Sequence, residues 1–338
     1  MRIAVTGGGT GGHVFPALAV GEELGRRGHE VVYVGADGLE AQVVPGRLPF
    51  HRIPAGKLDR TAFRPGEFGK AARGLAQALG LARRLRPEAV FATGGYAAFP
   101  FALAARLLGA RLFLHEQNAA LGLTNRLLAP LAHEVFLAMP GPTARGRAVG
   151  MPIDETRHPP EEARRALGLH PHRLTLLVMG GSQGARVFNE RLPQLLAPFL
   201  GELQVLHLAG RGRADEVQPP GPGYQVREFV AGPLAWSAAD LAITRAGAMT
   251  LAEAAYHRVP LLLVPYPHAA GDHQRKNARR YAEAGAARWV EEAAIANLGE
   301  TLSQLLDEDA RAAMRRALAA FDPAGSAAKI ADRIEEEA

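Results

Sequence analysis

The chain has 338 residues, of which 48% are hydrophobic and 22% charged, and it contains no cysteine. That length favours two domains at roughly 100–200 residues each. The apolar fraction excludes intrinsic disorder, and the missing thiols exclude a disulfide scaffold, a cysteine nucleophile and a Cys-ligated zinc site. A formal charge of +5 is too small, if evenly spread, to imply a nucleic-acid partner.

The chain opens with a β-branched run, Ile3–Thr6, that reads as a buried strand. It leads straight into Gly7-Gly8-Gly9-Thr10-Gly11-Gly12-His13 and a helix expected over Phe15–Arg27. A signal peptide is not expected from this start, so the default location is cytoplasmic. Glycines let a backbone come close to a ligand, and the N-terminus of the following helix favours an anion, usually phosphate. The spacing of Gly7, Gly9 and Gly12, with Asp37 after a second strand at Glu30–Val34, also fits a dinucleotide site, so a dehydrogenase is carried as a rival. The helix dipole disfavours an imidazolium at His13. The ring then serves either as a general base or as a cap that donates to phosphate.

The charge proves to be concentrated in one stretch. Between Lys57 and Arg86 lie eight basic residues (Lys57, Arg60, Arg64, Lys70, Arg73, Arg83, Arg84, Arg86) against Asp59 and Glu67, a net +6 that leaves the rest of the chain at −1. Phe63, Phe68, Leu75, Leu79 and Leu81 are interleaved with them, and a helix is expected over Phe68–Arg84. This combination suits an anionic membrane surface, at roughly 1 kcal/mol per basic side chain; a solvated helix face is the plain alternative. It lacks the stacking aromatics of a nucleic-acid site. The uncharged stretch Ala89–Ala105 has 17 residues and contains Gly94-Gly95 and Pro100, whereas a spanning helix needs about 20.

Strands are expected next at Ala89–Thr93, Arg111–His115 and Glu134–Ala138, with a helix at Ala97–Leu108. Two polar loops, Gly94-Gly95-Tyr96 and His115-Glu116-Gln117-Asn118, end the first two of these strands. Glu116 is a second candidate base, or else a hydrogen-bonded structural carboxylate. The five prolines of Pro140–Pro160 mark the expected linker.

The second half echoes the first. Leu174–Met179 runs into Gly180-Gly181-Ser182-Gln183-Gly184-Ala185 and a helix at Ala185–Leu195, about 170 residues after the opening unit. Further strands are expected at Gln204–Leu208, Gln225–Phe229, Leu241–Thr244, Leu261–Pro265 and Ala287–Val290, with helices at Ala248–Tyr256 and His273–Ala284. This strand–helix alternation predicts an α/β chain of two doubly wound parallel sheets. The loop from Arg245 to Glu253 offers the amides of Ala248, Met249 and Thr250 to a pyrophosphate, with Glu253 able to accept ribose hydroxyls. Its plain alternative is an acid complementing the helix dipole. The loop from Pro265 to Gln274 suits sugar hydroxyls. Asp307-Glu308-Asp309 lies in a charged helical stretch and reads as surface rather than a metal site.

Taken in order, Gly8–Pro16, Gly94-Gly95-Tyr96, His115–Asn118, Gly180–Ala185 and Arg245–Glu253 resemble the MurG family over essentially the whole chain. These are peptidoglycan N-acetylglucosaminyltransferases, which make lipid II from lipid I. The resemblance implies a GT-B glycosyltransferase fold, with two Rossmann-like domains facing across a cleft. Residues 1–150 would serve the lipid I acceptor and the membrane, and 151–324 the donor UDP-GlcNAc, with 325–338 a helix able to return to the first domain. Ser182, Ala248, Met249 and Thr250 match the diphosphate contacts, Glu253 the ribose contact, and Val230 the residue that reads uracil. His273, Gln274 and Asn118 match the sugar contacts. Arg245 heads the donor loop, and Thr10, Gly11, Gly12 and His13 face the reaction centre. Tyr96, His115, Lys70, Arg73, Arg83, Arg84 and Arg86 fall on the acceptor and membrane side.

The resemblance further implies an inverting hexosyltransferase of cell-wall synthesis at the cytoplasmic face of the membrane. It implies no required cofactor, a divalent metal entering only as a stimulant, and other cell-wall proteins as candidate partners. Other UDP-sugar enzymes of this fold, a diacylglycerol glycosyltransferase or a UDP-GlcNAc 2-epimerase, would share the donor site. The chain departs from the family pattern at Asp154, where an arginine is common, and at His273, where some members carry glutamine.

Overall fold

The computed structural model describes residues 1–53, 65–140 and 146–337, with the backbone alone described for 65–73. It divides into two compact units, Met1–Ile153 with Pro323–Ala338, and Asp154–Asp322. The boundary falls a few residues past Gly150, inside the proline-rich stretch.

Unit 1 is built from β1 (Arg2–Thr6), α1 (Gly11–Arg26), β2 (Glu30–Gly35), α2 (Glu40–Val43), β3 (Phe50–Arg52), α3 (Pro65–Leu85), β4 (Ala89–Ala92), α4 (Ala98–Leu107), β5 (Arg111–Glu116), α5 (Leu123–Leu128), β6 (Glu134–Leu137) and β7 (Gly146–Ala148). Its described strands form one parallel sheet in the order β3-β2-β1-β4-β5-β6-β7. Unit 2 runs α6 (Pro160–Ala166), β8 (Leu174–Met179), α7 (Arg186–Leu196), β9 (Leu203–Leu208), β10 (Tyr224–Arg227), α8 (Gly232–Ala238), β11 (Leu241–Thr244), α9 (Ala248–His257), β12 (Leu261–Leu263), α10 (His273–Glu283), β13 (Arg288–Trp289), α11 (Leu298–Leu305) and α12 (Glu308–Leu318). Its parallel order is β10-β9-β8-β11-β12-β13. Asp307 is the N-cap of α12 and accepts from the Ala310 amide at 2.8 Å, a structural use for the Asp-x-Asp pair. The last helix, α13 (Ser326–Glu337), belongs to unit 1.

The apolar runs became strands because both sheet faces are covered. Val5, Phe91 and Phe113 of unit 1 and Leu176, Val205 and Ile243 of unit 2 are fully or almost fully buried. Each such side chain contributes roughly 1.5–3 kcal/mol of transfer free energy. Two edge strands escaped the sequence reading. β3 and β7 have three residues each and their burial is at most partial, so neither shows the apolar signature of its neighbours. β7 lies within the stretch taken as linker. It pairs with β6 and extends the first sheet.

In both sheets the two strands with Gly-rich loops are neighbours at the point where strand order reverses. In unit 1 these are β1 and β4, and in unit 2 β8 and β11. Ligands in open α/β sheets bind outside the carboxyl ends of the strands at that point. The internal repeat read from the sequence is therefore a repeat of position as well as pattern.

The α13 helix lays Ile330, Ala331 and Ile334 into the core that also holds Val14, Leu18 and Leu24 of α1. Arg27 reaches Asp332 at 2.6 Å and Glu335 at 2.8 Å across the same contact.

The second Gly loop is held by close backbone approach. Gly184 has φ +69, and a Cβ on it would stand 1.9 Å from the Ala209 carbonyl oxygen. Gly184→Ala is therefore expected to cost about 2 kcal/mol or more. The measurement is the thermal midpoint of unfolding, expected to fall by several degrees; an unchanged midpoint would show that the loop yields.

Candidate functional site

In unit 1 the site is built on the ends of β1, β4 and β5. α1 starts at Gly11, so His13 occupies its first turn, one turn earlier than a start at Phe15 would place it. The Gly11 and Gly12 amides precede the first residues able to form helical hydrogen bonds. His13 Nδ1 stands 2.9 Å from the Thr93 carbonyl and 3.1 Å from Gln117 Oε1. Both are acceptors, so Nδ1 carries the ring proton and the basic lone pair is on Nε2. Thr93 Oγ1 donates to the His13 carbonyl at 2.7 Å, tying the helix start to the end of β4. The half-buried Tyr96 ring lies over Gly9. Thr10 is exposed.

Glu40 is a residue that sequence reasoning missed. It is fully buried, and its carboxylate accepts from the Ala36 amide at 3.1 Å and the Gly9 amide at 3.2 Å. A Cβ on Gly8 would lie 2.5 Å from its Oε1, so the glycine there makes room for the carboxylate. Tyr33 OH donates to the Gly7 carbonyl from the same side. A glutamate in a short, weakly patterned helix carries no sequence signal for such a role. The Gly-Leu-Glu turn after β2 was its only trace.

Two sequence expectations change here. Glu116 is 1% exposed. Its Oε1 accepts from the Asn118 amide and side chain at 3.0 and 3.2 Å, and its Oε2 from the Gly122 amide and Asn125 Nδ2 at 2.9 and 2.8 Å. Four donors saturate the carboxylate, so it clamps its own loop instead of serving as a base. His115, placed on the acceptor side, is fully buried. Its Nε2 donates to the Gly150 carbonyl at 2.9 Å. Burial holds it neutral, pushed down to about 4. The strand continues through Glu116, which turns His115 into the sheet. Asn118, half-buried, stands at the exit of that loop.

Of the basic stretch, Arg83, Arg84 and Arg86 are exposed at and beyond the end of α3. Lys57, Arg60 and Arg64 lie outside the described residues, as do the side chains of Lys70 and Arg73.

Unit 2 carries the other cluster. Gly247 is the N-cap of α9 and offers no side-chain cap. The first intrahelical donor is Leu251, whose amide meets the Gly247 carbonyl at 3.0 Å. The Ala248, Met249 and Thr250 amides thus form the positive end of the helix. Glu253 follows one turn on. Trp236 Nε1 donates to its Oε2 at 3.0 Å. Burial, with a smaller contribution from Asp154, pushes its carboxyl up to about 7, against the pull of the Trp236 hydrogen bond. Trp236, itself buried in α8, was another partner absent from the sequence reading. Ser182 is exposed on the β8–α7 loop, and Val230 is half-buried beyond β10.

Arg245 is not a donor contact. It is 8% exposed, pairs with Glu292, and donates to the Val264 and Pro265 carbonyls at 3.0 and 3.3 Å. Its guanidinium also stacks over Phe188. These partners satisfy the charge internally and fix the ends of β11 and β12 together. Gln274 Oε1 accepts from the Ala246 and Tyr266 amides at 3.1 and 2.9 Å, so only its Nε2 hydrogens remain to donate to a ligand. His273 Nδ1 donates to the Ala270 carbonyl at 2.8 Å, which puts the acceptor lone pair on Nε2.

Asp37, the acid of the dinucleotide alternative, lies at the surface. Asp37 pairs with Arg52 at 2.8 Å.

Comparison with known proteins agrees with the glycosyltransferase geometry. Residues 3–137 match the glycosyltransferase family 28 N-terminal domain, and residues 175–334 its C-terminal domain. A Thermus thermophilus protein is 53% identical, covering 98% of this chain and 99% of the relative. It is described as a UDP-N-acetylglucosamine--N-acetylmuramyl-(pentapeptide) pyrophosphoryl-undecaprenol N-acetylglucosamine transferase. A Deinococcus radiodurans protein of the same description is 40% identical over 98% of this chain and 95% of its own. The crystal structure of Acinetobacter baumannii MurG superposes with a TM-score of 0.82 at 30% identity, covering 99% of both chains.

Proposed function

The chain belongs to glycosyltransferase family 28, and within it we propose that it moves N-acetylglucosamine from UDP-GlcNAc to the 4-hydroxyl of the N-acetylmuramyl sugar of lipid I. The products are lipid II and UDP. The observation that carries this reading is the likeness to the Thermus thermophilus transferase along the whole chain.

The chemistry is one in-line displacement. The muramyl 4-oxygen forms a bond to C1 of the α-linked sugar as the C1–O bond to the diphosphate breaks, giving the β-linkage. The hydroxyl proton goes to His13 Nε2. The electron pair leaves with UDP, and the charge developing there meets the Ala248, Met249 and Thr250 amides and the Ser182 hydroxyl. Glu253 accepts the ribose hydroxyls, Val230 supplies backbone groups to uracil, and Gln274, His273 and Asn118 address the sugar. The direct test is transfer of radiolabelled N-acetylglucosamine to a lipid I analogue, run with magnesium and again with EDTA. Transfer in both is expected, since helix amides take the role of a charge clamp. No transfer in either would defeat the reading, as would stabilisation of the protein by NAD and not by UDP.

No helix among the described residues is long and apolar enough to cross a membrane. For a lipid-linked acceptor we propose peripheral contact with anionic lipid. Leu107, Leu108, Leu127 and Leu131 are exposed at 64, 43, 55 and 38% and offer apolar side chains to a lipid surface. Arg106, between them, donates to the Leu131 carbonyl at 2.9 Å. Exposed Arg83 and Arg84 lie on α3, which packs beside α4, and exposed Arg86 follows its end. Charge reversal at these three arginines is expected to weaken binding to phosphatidylglycerol vesicles at least tenfold, at about 1 kcal/mol per charge removed. Sedimentation with the vesicles measures it, and unchanged binding would remove the patch from the account. Contacts with other cell-wall synthesis proteins belong to the same proposal.

A further inference from the structure

The hydrogen bonds behind His13 form a chain with a single polarity. It begins at the Gly150 carbonyl, which only accepts. His115 Nε2 lies 2.9 Å away and therefore carries the proton. Its Nδ1 is then an acceptor, and Gln117 Nε2 stands 3.2 Å from it. The same Nε2 is 2.8 Å from the Thr93 carbonyl and 3.0 Å from the His115 carbonyl. With three acceptors about its nitrogen, the Gln117 amide cannot be turned over without placing oxygen against oxygen. Oε1 is thereby the atom that faces His13 Nδ1 at 3.1 Å. Gln117 is 1% exposed, so no water competes for it. The anchor is rigid: Ser326 Oγ donates to the Val149 carbonyl at 2.8 Å, and Gly150 is wedged against Pro323.

We propose that Gln117, oriented by His115, is a positioning residue that locks His13 in the tautomer with its lone pair on Nε2 and stabilises the imidazolium formed when that nitrogen takes the acceptor's proton. The proposal rests on the reading of His13 as the base. It assigns Gln117 and His115 to the reaction without contact with substrate. The neutral amide does the work that a carboxylate does behind the histidine of a Ser-His-Asp triad.

The test is ¹⁵N imidazole NMR on the full chain, with the His13 signals assigned by their loss in His13→Gln. The neutral ring of the unsubstituted protein is expected in the Nδ1–H form. In Gln117→Met the Thr93 carbonyl still accepts from Nδ1, so a measurable minority share is expected to move to Nε2–H, with kcat lowered about tenfold or more and KM for UDP-GlcNAc unchanged. Gln117→Asn, which keeps an amide but withdraws it from Nδ1, supplies the same reading should the methionine variant not fold. An unchanged tautomer in a folded Gln117→Met or Gln117→Asn protein overturns the lock. A shifted tautomer with unchanged kcat upholds the lock and overturns His13 as the base.

Discussion

Replacing His13 by alanine is expected to lower kcat by roughly 10²- to 10⁴-fold and to leave the dissociation constant for UDP-GlcNAc within about twofold. The asymmetry follows from placement. His13 sits on α1 of unit 1, while the groups read as donor contacts, apart from Asn118, sit in unit 2 or on backbone amides. The ring donates from Nδ1 to the Thr93 carbonyl and Gln117 Oε1, so its removal takes away the proton acceptor and one donor to buried Gln117, both within unit 1. Steady-state kinetics with a lipid I analogue, alongside calorimetric titration of UDP-GlcNAc, measure the two quantities. A loss of kcat within tenfold, about 1.4 kcal/mol of barrier, would mean that another group takes the proton. Glu116 is not a ready substitute, because four donors already occupy its oxygens.

Binding of UDP-GlcNAc is expected to weaken about tenfold between pH 8 and pH 6, and Glu253→Gln is expected to abolish that dependence. In the ligand-free protein burial pushes the Glu253 carboxyl up to about 7. Ribose hydroxyls donate to the charged form and pull the value down in the complex. Binding therefore favours the deprotonated state. Affinity is full above pH 7 and falls by about a factor of ten for each unit below it, until the bound-state value is reached. The glutamine variant accepts from one fewer lone-pair site and should bind UDP-GlcNAc more weakly at pH 8, with a flat profile. Titration calorimetry at four pH values decides this. A flat profile in the unsubstituted protein would place the ribose away from Glu253.

Much of this site was legible before any fold was seen, and for a physical reason. Backbone-binding loops need glycine, and helix N-termini need a small or polar start. Both leave marks at fixed chain positions, as at Gly7–His13, Gly180–Ala185 and Gly247–Glu253. What the sequence could not apportion was the use of each polar side chain once in place. Arg245 and Glu116 have the residue types of ligand contacts, yet Arg245 spends its charge on Glu292 and two carbonyls, and Glu116 spends its oxygens on its own loop. His115 likewise has the type of a substrate contact and faces a backbone carbonyl instead.

The sequence by itself determined the alternation of strands and helices, the duplicated Gly-loop unit, the concentration of charge before Arg86 and the family resemblance. Each is carried by local pattern or composition, and hydrophobic periodicity and glycine placement act over a few residues at a time. Only the tertiary structure decided that β1 and β4, and likewise β8 and β11, meet at the reversal of strand order. It decided that Glu40 reaches from α2 to the Gly9 amide, and that His13, Gln117, His115 and Gly150 join into one chain of hydrogen bonds. Those partners are separated by 31 residues in the first case and up to 104 in the second. Satisfying a buried polar atom is a demand of three-dimensional packing, met by whichever side chain the fold brings within about 3 Å.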